Sequence, residues 1–479
     1  MMSLREVDIL HEENGLREAF LDETNAHQRQ GYYCSSADQP PYDNQDASST
    51  SEDESYELLS ARETTVLKND PYKRKSHPFR GISDSIQPGS VKSSVLTMTI
   101  AVVGGGILSL PYAVKQSGFI MGVGLVLLFA FITRFSVGMI LRAADTVGAS
   151  SFAELAKLTH GPRLELFTKM VISLNLFGTS VGYVLGAAEL LQVALNSLDP
   201  DVDFNRQGII VFLCVVVIFP FSLCRSLGSL RFASLIAVLC IVYMTITIVV
   251  KYYQFVSLGY APSIKYQLHH LVLFETNIER LLEAVPLIIF VYTCHPNIMP
   301  ICSVLKRPST RRMHKVVDRS LIIATAVYAI CGVFVVFTFG EATKSNFLQN
   351  NYHHSTAMTI GAIGFSVALV LTVPLFIHSM KDIVKSVDSR KASLLGRQRI
   401  VSSILVVSVA FASICATNIA TVLGILGTTT NPIICFLLPA IIARSIQTNA
   451  IEVEKRIAGC IAILMSAICI ASFIFNVRK

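Results

Sequence analysis

Three consecutive glycines interrupt an apolar segment that begins near residue 91. The segment reads Ala101-Val-Val-Gly104-Gly105-Gly106-Ile-Leu-Ser-Leu-Pro111. A glycine in a helix interior costs about 1 kcal/mol relative to alanine, and a proline there removes a backbone donor. This segment therefore predicts a helix that is broken near its middle.

A broken helix can bind a solute inside a membrane. Its freed N–H and C=O groups need partners, because the surrounding hydrocarbon offers none. An amino acid can be that partner, since its carboxylate suits the positive N-terminal end of a half-helix and its ammonium suits unwound carbonyls. Gly104, Gly105 and Gly106 are therefore candidate substrate contacts, and close helix packing by small residues is the alternative.

A second apolar segment carries a matching irregularity. It contains three prolines and a His-Pro-Asn sequence, in the order Pro286, Phe290-Val-Tyr292-Thr293-Cys294-His295-Pro296-Asn297 and Pro300. Prolines within a helical segment indicate another discontinuous helix, and Tyr292, Thr293 and His295 are the candidate substrate contacts at its break. The His295 imidazole could line a cavity or titrate near neutral pH, and capping of the break is the alternative.

The composition places both segments in a membrane. Of 479 residues, 52% are hydrophobic and 15% are charged, whereas soluble domains have about 25% charged residues. Repeated apolar stretches of about 20 residues are each long enough to cross a bilayer. We therefore predict an all-α polytopic membrane protein with no cofactor. A soluble enzyme, a secreted disulfide scaffold and a nucleic-acid binder are excluded.

Eleven transmembrane helices are predicted within a transporter domain at 91–477. They cover about 91–113, 119–142, 165–194, 208–225, 230–255, 279–302, 319–340, 356–381, 400–424, 428–446 and 456–475. The loops after the sixth and eighth spans are rich in lysine and arginine, which places these loops and the N-terminus in the cytosol. Irregular helices five spans apart indicate two inverted five-helix halves and one further helix.

Glu189 lies well inside the third predicted span. A charged side chain at that depth costs several kcal/mol unless it is paired or hydrated, so Glu189 is a functional candidate. Its carboxylate could carry a coupling proton, or it could brace a helix.

Several motifs occur in the order found in one transporter family. They are Gly104-Gly-Gly-Ile-Leu-Ser-Leu-Pro-Tyr-Ala113, Cys294-His-Pro-Asn-Ile-Met-Pro-Ile301, Lys306-Arg-Pro-Ser-Thr-Arg-Arg-Met313, Leu371-Thr-Val-Pro-Leu375 and Gly424-x-x-Gly427-Thr-Thr-Thr430. Asn175, fourteen residues before Glu189, matches as well. In combination these residues resemble the amino acid/auxin permease family, nearest to its sodium-coupled neutral amino acid transporters of systems A and N.

The resemblance implies a LeuT-like fold and secondary active transport of amino acids, with Asn175 among the substrate contacts. In LeuT-like carriers, sodium commonly lies between unwound span-one carbonyls and a span-eight hydroxyl, which Ala101 and Thr372 match here. A Thr372 hydroxyl that bonds to its own helix is the alternative. The sodium-coupled branch usually has an asparagine where this chain has Ile100, so coupling to Na⁺ and coupling to H⁺ both stay open.

The first 90 residues differ from the rest in composition. They carry 17 acidic and 9 basic residues and too few apolar ones to fold alone, so we predict a disordered acidic cytosolic tail at 1–90. Glu54, Leu58 and Leu59 resemble the acidic dileucine signal that sorting adaptors bind, which predicts lysosomal or vacuolar residence, with the plasma membrane as the alternative. The tail also supports a second hypothesis, an amino acid sensor that signals through it to a cytosolic complex.

Overall fold

The computed structural model describes residues 89–198, 204–223, 230–263, 266–267, 272–353, 355–387, 394–446 and 452–478. Nearly all of the predicted tail, including the sorting residues Glu54, Leu58 and Leu59, lies outside these ranges. Helices and turns make up the described residues, with no strand among them. The predicted all-α membrane fold is therefore confirmed.

We number the helices of these ranges α1 to α15 in chain order. They are α1 Val91–Val103, α2 Leu110–Ser117, α3 Phe119–Val147, α4 Phe152–His160, α5 Pro162–Leu198, α6 Arg206–Leu223, α7 Leu230–Ser257, α8 Ile278–Val291, α9 His295–Ser303, α10 Thr310–Phe339, α11 Thr356–Val387, α12 Leu394–Cys415, α13 Ile419–Thr428, α14 Thr430–Ser445 and α15 Glu452–Arg478. Helices α6 and α14 each include a π-helical turn.

Eight helical units of the described chain are long and apolar enough to cross a membrane. These are α3, α5, α6, α7, the α8–α9 pair, α10, α11 and α15. The pair α12–α13, bent by 112°, makes nine if it is one span, and α1 and α14 are apolar but shorter. The number eleven and the LeuT-like repeat stay predictions.

The predicted ninth span, 400–424, is not one continuous helix. Span nine was expected to reach residue 424, but α12 ends at Cys415, and Asn418 starts a new helix by accepting a hydrogen bond from the Thr421 N–H. Gly424 and Gly427 consequently lie inside α13. A Cβ on Gly427 would collide with the Pro286 carbonyl oxygen, so this glycine allows α13 to approach α8 closely.

The break predicted in the first span is confirmed. Helix α1 ends at Val103, and Gly104 adopts φ +35°, where L side chains are rarely found. A 3₁₀ turn at Gly105–Leu108 follows, and α2 begins at Leu110. Pro111 lies in the first turn of α2, where its missing N–H removes no helical hydrogen bond.

The break predicted in the sixth span is confirmed too. Helix α8 ends at Val291, and α9 begins at His295 with Pro296 in its first turn. In the short connection, the Thr293 N–H donates to the Phe290 carbonyl at 2.9 Å. Both spans therefore change from one half-helix to the next over a few residues, each time just before a proline.

One buried tyrosine connects the two breaks. Tyr328 on α10 is fully buried, and its hydroxyl oxygen lies 2.8 Å from the Val102 carbonyl oxygen and 2.8 Å from the Val291 carbonyl oxygen. Both carbonyls belong to the last turns of half-helices, where the helix leaves carbonyls without an internal partner. The hydroxyl proton of Tyr328 thus serves two helix ends at once, and α10 holds them together.

We predict that Tyr328→Phe lowers the free energy of unfolding by about 1–2 kcal/mol, because two buried carbonyls lose their donor. Tyr352→Phe is the matched control, since the buried Tyr352 hydroxyl makes no hydrogen bond with any described residue. The melting temperature of the purified full-length protein in detergent should fall for Tyr328→Phe alone. Equal melting temperatures of both variants would contradict the bridging role.

Candidate functional site

A cavity of about 50 Å³ lies where the two breaks meet. Ala101, Gly104 and Gly106 line it from the first span, and Thr293 lines it from the sixth. Asn175 of α5 is a further lining residue, so five of the sequence-predicted site residues lie around one cavity. The volume has room for a few water molecules, so the lining must separate before a larger solute can enter.

Helix α5 contributes a polar face that the sequence analysis found only in part. Asn175, Thr179 and Tyr183 all line the cavity, and their spacing of four residues places them on one side of a helix. Thr179 and Tyr183 were missed. The signal was available, because polar residues at positions i, i+4 and i+8 of an apolar helix mark one shared face.

The Tyr183 side chain explains why two of the glycines are needed. A Cβ on Gly104 would collide with the Tyr183 hydroxyl oxygen, and a Cβ on Gly105 would lie 2.8 Å from Cε1 of the same ring. A Cβ on Gly105 would also lie 3.0 Å from Cδ1 of that ring. Gly105 therefore lies under the ring and does not line the cavity, and close packing and cavity formation occur together at this break.

Two polar side chains at the start of α14, Thr430 and Asn431, hold Asn175. Its Nδ2 donates to Thr430 Oγ1 at 2.9 Å and to the Asn431 side-chain oxygen. Both partners belong to the start of α14, directly after the helix interruption at Thr429. With the amide protons bound in this way, Asn175 Oδ1 is the atom of this side chain that can accept a hydrogen bond from a ligand.

Two predicted substrate residues point away from the cavity. The Tyr292 hydroxyl is 2.9 Å from Thr325 Oγ1, and His295 Nε2 is 3.2 Å from Ser136 Oγ, which in turn donates to the Cys435 carbonyl. His295 is fully buried. The start of α9 has no side-chain cap hydrogen bond, so the imidazole does not cap the break and instead joins the broken span to α3 through Ser136.

The ion-coupling candidates also lie apart from one another. Ala101 lines the cavity, whereas Thr372 and Glu189 do not. Thr372 Oγ1 donates to the Ala368 carbonyl at 2.8 Å, which is the alternative bond to its own helix. The lone pairs of this hydroxyl remain able to accept or to coordinate.

Glu189 connects three parts of the chain. One carboxylate oxygen accepts from Asn346 Nδ2 at 2.9 Å, and the other accepts from the Ile419 N–H at 3.3 Å. Ile419 is the first residue of α13, so the carboxylate lies at the positive end of that helix. This geometry matches the bracing role.

The cavity lining is uncharged. Among the described residues that surround it there is no aspartate, glutamate, lysine, arginine or histidine. Polar contacts come from the backbone at the breaks, from Asn175 and Asn297, and from the hydroxyls of Thr179, Tyr183 and Thr293. Apolar contacts include the rings of Phe290 and Phe376.

Comparison with known proteins gives the family. Residues 87–478 match the family described as transmembrane amino acid transporter protein. The chain belongs to this family. Its members are transporters and not enzymes, and the resemblance given by the ordered motifs is confirmed.

Two relatives illustrate the range of the family. Sodium-coupled neutral amino acid symporter 2 of Danio rerio is 25% identical over 408 residues, which cover 79% of this chain and 80% of that protein. Vacuolar amino acid transporter 6 of Saccharomyces cerevisiae is 27% identical over 297 residues. That match covers 60% of this chain and 64% of the yeast protein, slightly less than two thirds of its length.

We predict that Gly104→Ala destabilises the protein by about 1–2 kcal/mol from backbone strain alone, and by more from the collision with Tyr183. Adding Tyr183→Phe removes the colliding hydroxyl, so the double variant should recover part of the loss in melting temperature. Gly124→Ala on α3 is the control, because a Cβ there meets nothing within 4 Å. Strictly additive effects of the two substitutions would contradict this contact.

Proposed function

We propose that this protein transports neutral amino acids across a membrane by alternating access, driven by a Na⁺ or H⁺ gradient. The observation that carries the proposal is the uncharged cavity between two broken spans in a member of an amino acid transporter family. The names of relatives, a sodium-coupled symporter and a vacuolar transporter, support amino acids as the solute.

The helix ends around the cavity suit the two charged groups that every free amino acid carries. The positive N-terminal end of α9, where Pro296 and Asn297 line the cavity, favours the α-carboxylate, and the last carbonyls of α1 and α8 favour the α-ammonium. Asn175 Oδ1 offers the ammonium a further acceptor. Gly104 and Gly106 leave this backbone open to a ligand, because neither has a side chain to cover it.

The lining favours a neutral substrate side chain. A charged side chain would enter the cavity without a counter-ion, and an uncompensated buried charge costs several kcal/mol. An amide or aliphatic side chain meets the hydroxyls and phenyl rings of the lining without that cost.

Alternating access requires the closed cavity to open. The rings of Tyr183 and Phe376 meet edge to face with centroids 5.4 Å apart, and both line the cavity. Their separation, with movement of the half-helices on either side of the breaks, would admit the substrate. The interrupted helices provide the hinges, because few backbone hydrogen bonds cross each break.

We predict that purified protein in proteoliposomes takes up labelled glutamine under an inward Na⁺ gradient or an inward H⁺ gradient. Unlabelled leucine should compete at least about tenfold better than arginine or glutamate, because the lining offers no counter-ion. Asn175→Ala should reduce uptake, whereas Asn351→Ala, at an exposed loop position, should not. Glutamine binding without flux under both gradients would contradict transport and favour the sensor.

We predict further that Glu189→Gln retains gradient-driven uptake. The amide keeps one oxygen acceptor for the Asn346 or Ile419 donor, so the brace is weakened and not lost. Glu189→Leu leaves both donors without an acceptor and should lower the melting temperature. Loss of proton-driven uptake in Glu189→Gln, with glutamine binding intact, would instead identify Glu189 as a proton carrier.

A further inference from the structure

A second and larger cavity opens between the outer ends of α2 and α8. Its volume of about 510 Å³ falls within the range of roughly 300–1,000 Å³ that is typical of small-molecule sites. It is lined by Tyr112 and Gln116 of α2, by Asn277 just before α8, by Glu279, Arg280 and Glu283 of α8, and by Phe475 of α15. The loop charges predict that this end of the protein faces away from the cytosol.

This outer cavity is separate from the central one. No described residue lines both. Tyr112 lies six residues beyond Gly106, and Glu283 lies seven residues before Phe290. At the rise of a helix, both offsets place the outer cavity about 10 Å from the central cavity.

One wall of the outer cavity carries the Glu283 carboxylate. Glu283 Oε2 accepts from the Tyr112 hydroxyl at 3.1 Å and from Gln116 Nε2 at 2.8 Å. Gln116 is only 7% exposed, and its Oε1 has no hydrogen-bond partner among the described residues. This oxygen is itself buried and is not exposed to the cavity, so Gln116 acts through its Nε2, which holds the Glu283 carboxylate in place.

Arg280 supplies the opposite charge, three residues before Glu283 on the same face of α8. Arg280 Nη1 donates to Glu275 at 2.9 Å, and Nη2 donates to Glu341 at 3.3 Å. A guanidinium has five N–H donors, so these pairs leave donors for a ligand carboxylate. The Asn277 N–H and the Arg280 guanidinium hold the pKa of Glu275 below its ordinary value, so Glu275 stays ionised at neutral pH and keeps Arg280 in position.

We propose that the outer cavity is a second amino acid site, which binds the α-ammonium through Glu283, held in place by Gln116, and the α-carboxylate through Arg280. The ring of Phe475 contacts the side chain of the bound amino acid. The inference rests on the proposed function for the identity of the ligand, but binding at this site does not require transport.

The absence of tryptophan from the sequence permits a direct assay. Phe475→Trp introduces a single tryptophan into the wall of the outer cavity of the full-length protein in detergent. Titration with glutamine should give a saturable change in its fluorescence. The same change should persist when Asn175→Ala disables the central site, so failure of the outer site and failure of transport are read separately.

Glutamine analogues test whether both charged groups are recognised. The probe 4-aminobutanamide lacks the α-carboxylate and glutaramate lacks the α-ammonium, so each should bind at least about tenfold more weakly than glutamine. An equal response to 4-aminobutanamide or to ammonium ion would reduce the cavity to a cation site and overturn the proposal. No fluorescence response to glutamine would overturn it too.

Substitutions test the assigned contacts in the Phe475→Trp background. Glu283→Gln should weaken glutamine binding at least about tenfold, and Gln116→Leu serves the same purpose if Glu283→Gln does not fold. Asp382→Asn is the matched control, because Asp382 is an exposed carboxylate in an ion pair with Lys385 and does not line the cavity. Equal weakening by Asp382→Asn and Glu283→Gln would show that the effect does not come from a contact in the outer cavity and would overturn the site.

Discussion

Backbone groups that lack helical partners at membrane depth are the constraint on which the rest of this structure depends. Hydrocarbon cannot satisfy them, so each break in a span needs a specific donor or acceptor nearby. The Tyr328 hydroxyl meets this need for the ends of α1 and α8 together. The two breaks must therefore lie side by side, and the space that remains between them is the central cavity.

Charged side chains lie away from the two breaks, toward the ends of the helices. Ion pairs occupy the ends of the helices, with Arg134 and Asp318 joined at 2.7 Å toward one end and the pairs of Arg280 at the other. At the central cavity, hydroxyls, amides and backbone groups replace charged side chains. A neutral cavity lets an amino acid use the helix ends as its partners, because no competing counter-ion sits among them.

The two cavities differ in how they would recognise the same ligand. The central cavity offers partial charges from helix ends, in surroundings where each is strong because water is excluded. The outer cavity offers the full charges of Arg280 and Glu283, where the larger volume admits water and weakens each pair. Weak binding in the outer cavity and tighter binding in the central cavity would suit an amino acid that moves from the first to the second.

Local features of the sequence determined the helical membrane fold and both broken spans, because hydropathy, glycine runs and prolines act through the chain's immediate neighbours. The number of spans and the coupling ion depend on contacts beyond that range. Tertiary structure alone decided that Tyr183 lies over the glycines, that His295 turns toward Ser136, and that Glu189 reaches Ile419. His295 and Glu189 are each more than a hundred positions from their partners in the sequence, and Tyr183 is 78 positions from Gly105. The periodicity of one helix cannot specify which face of another it will meet.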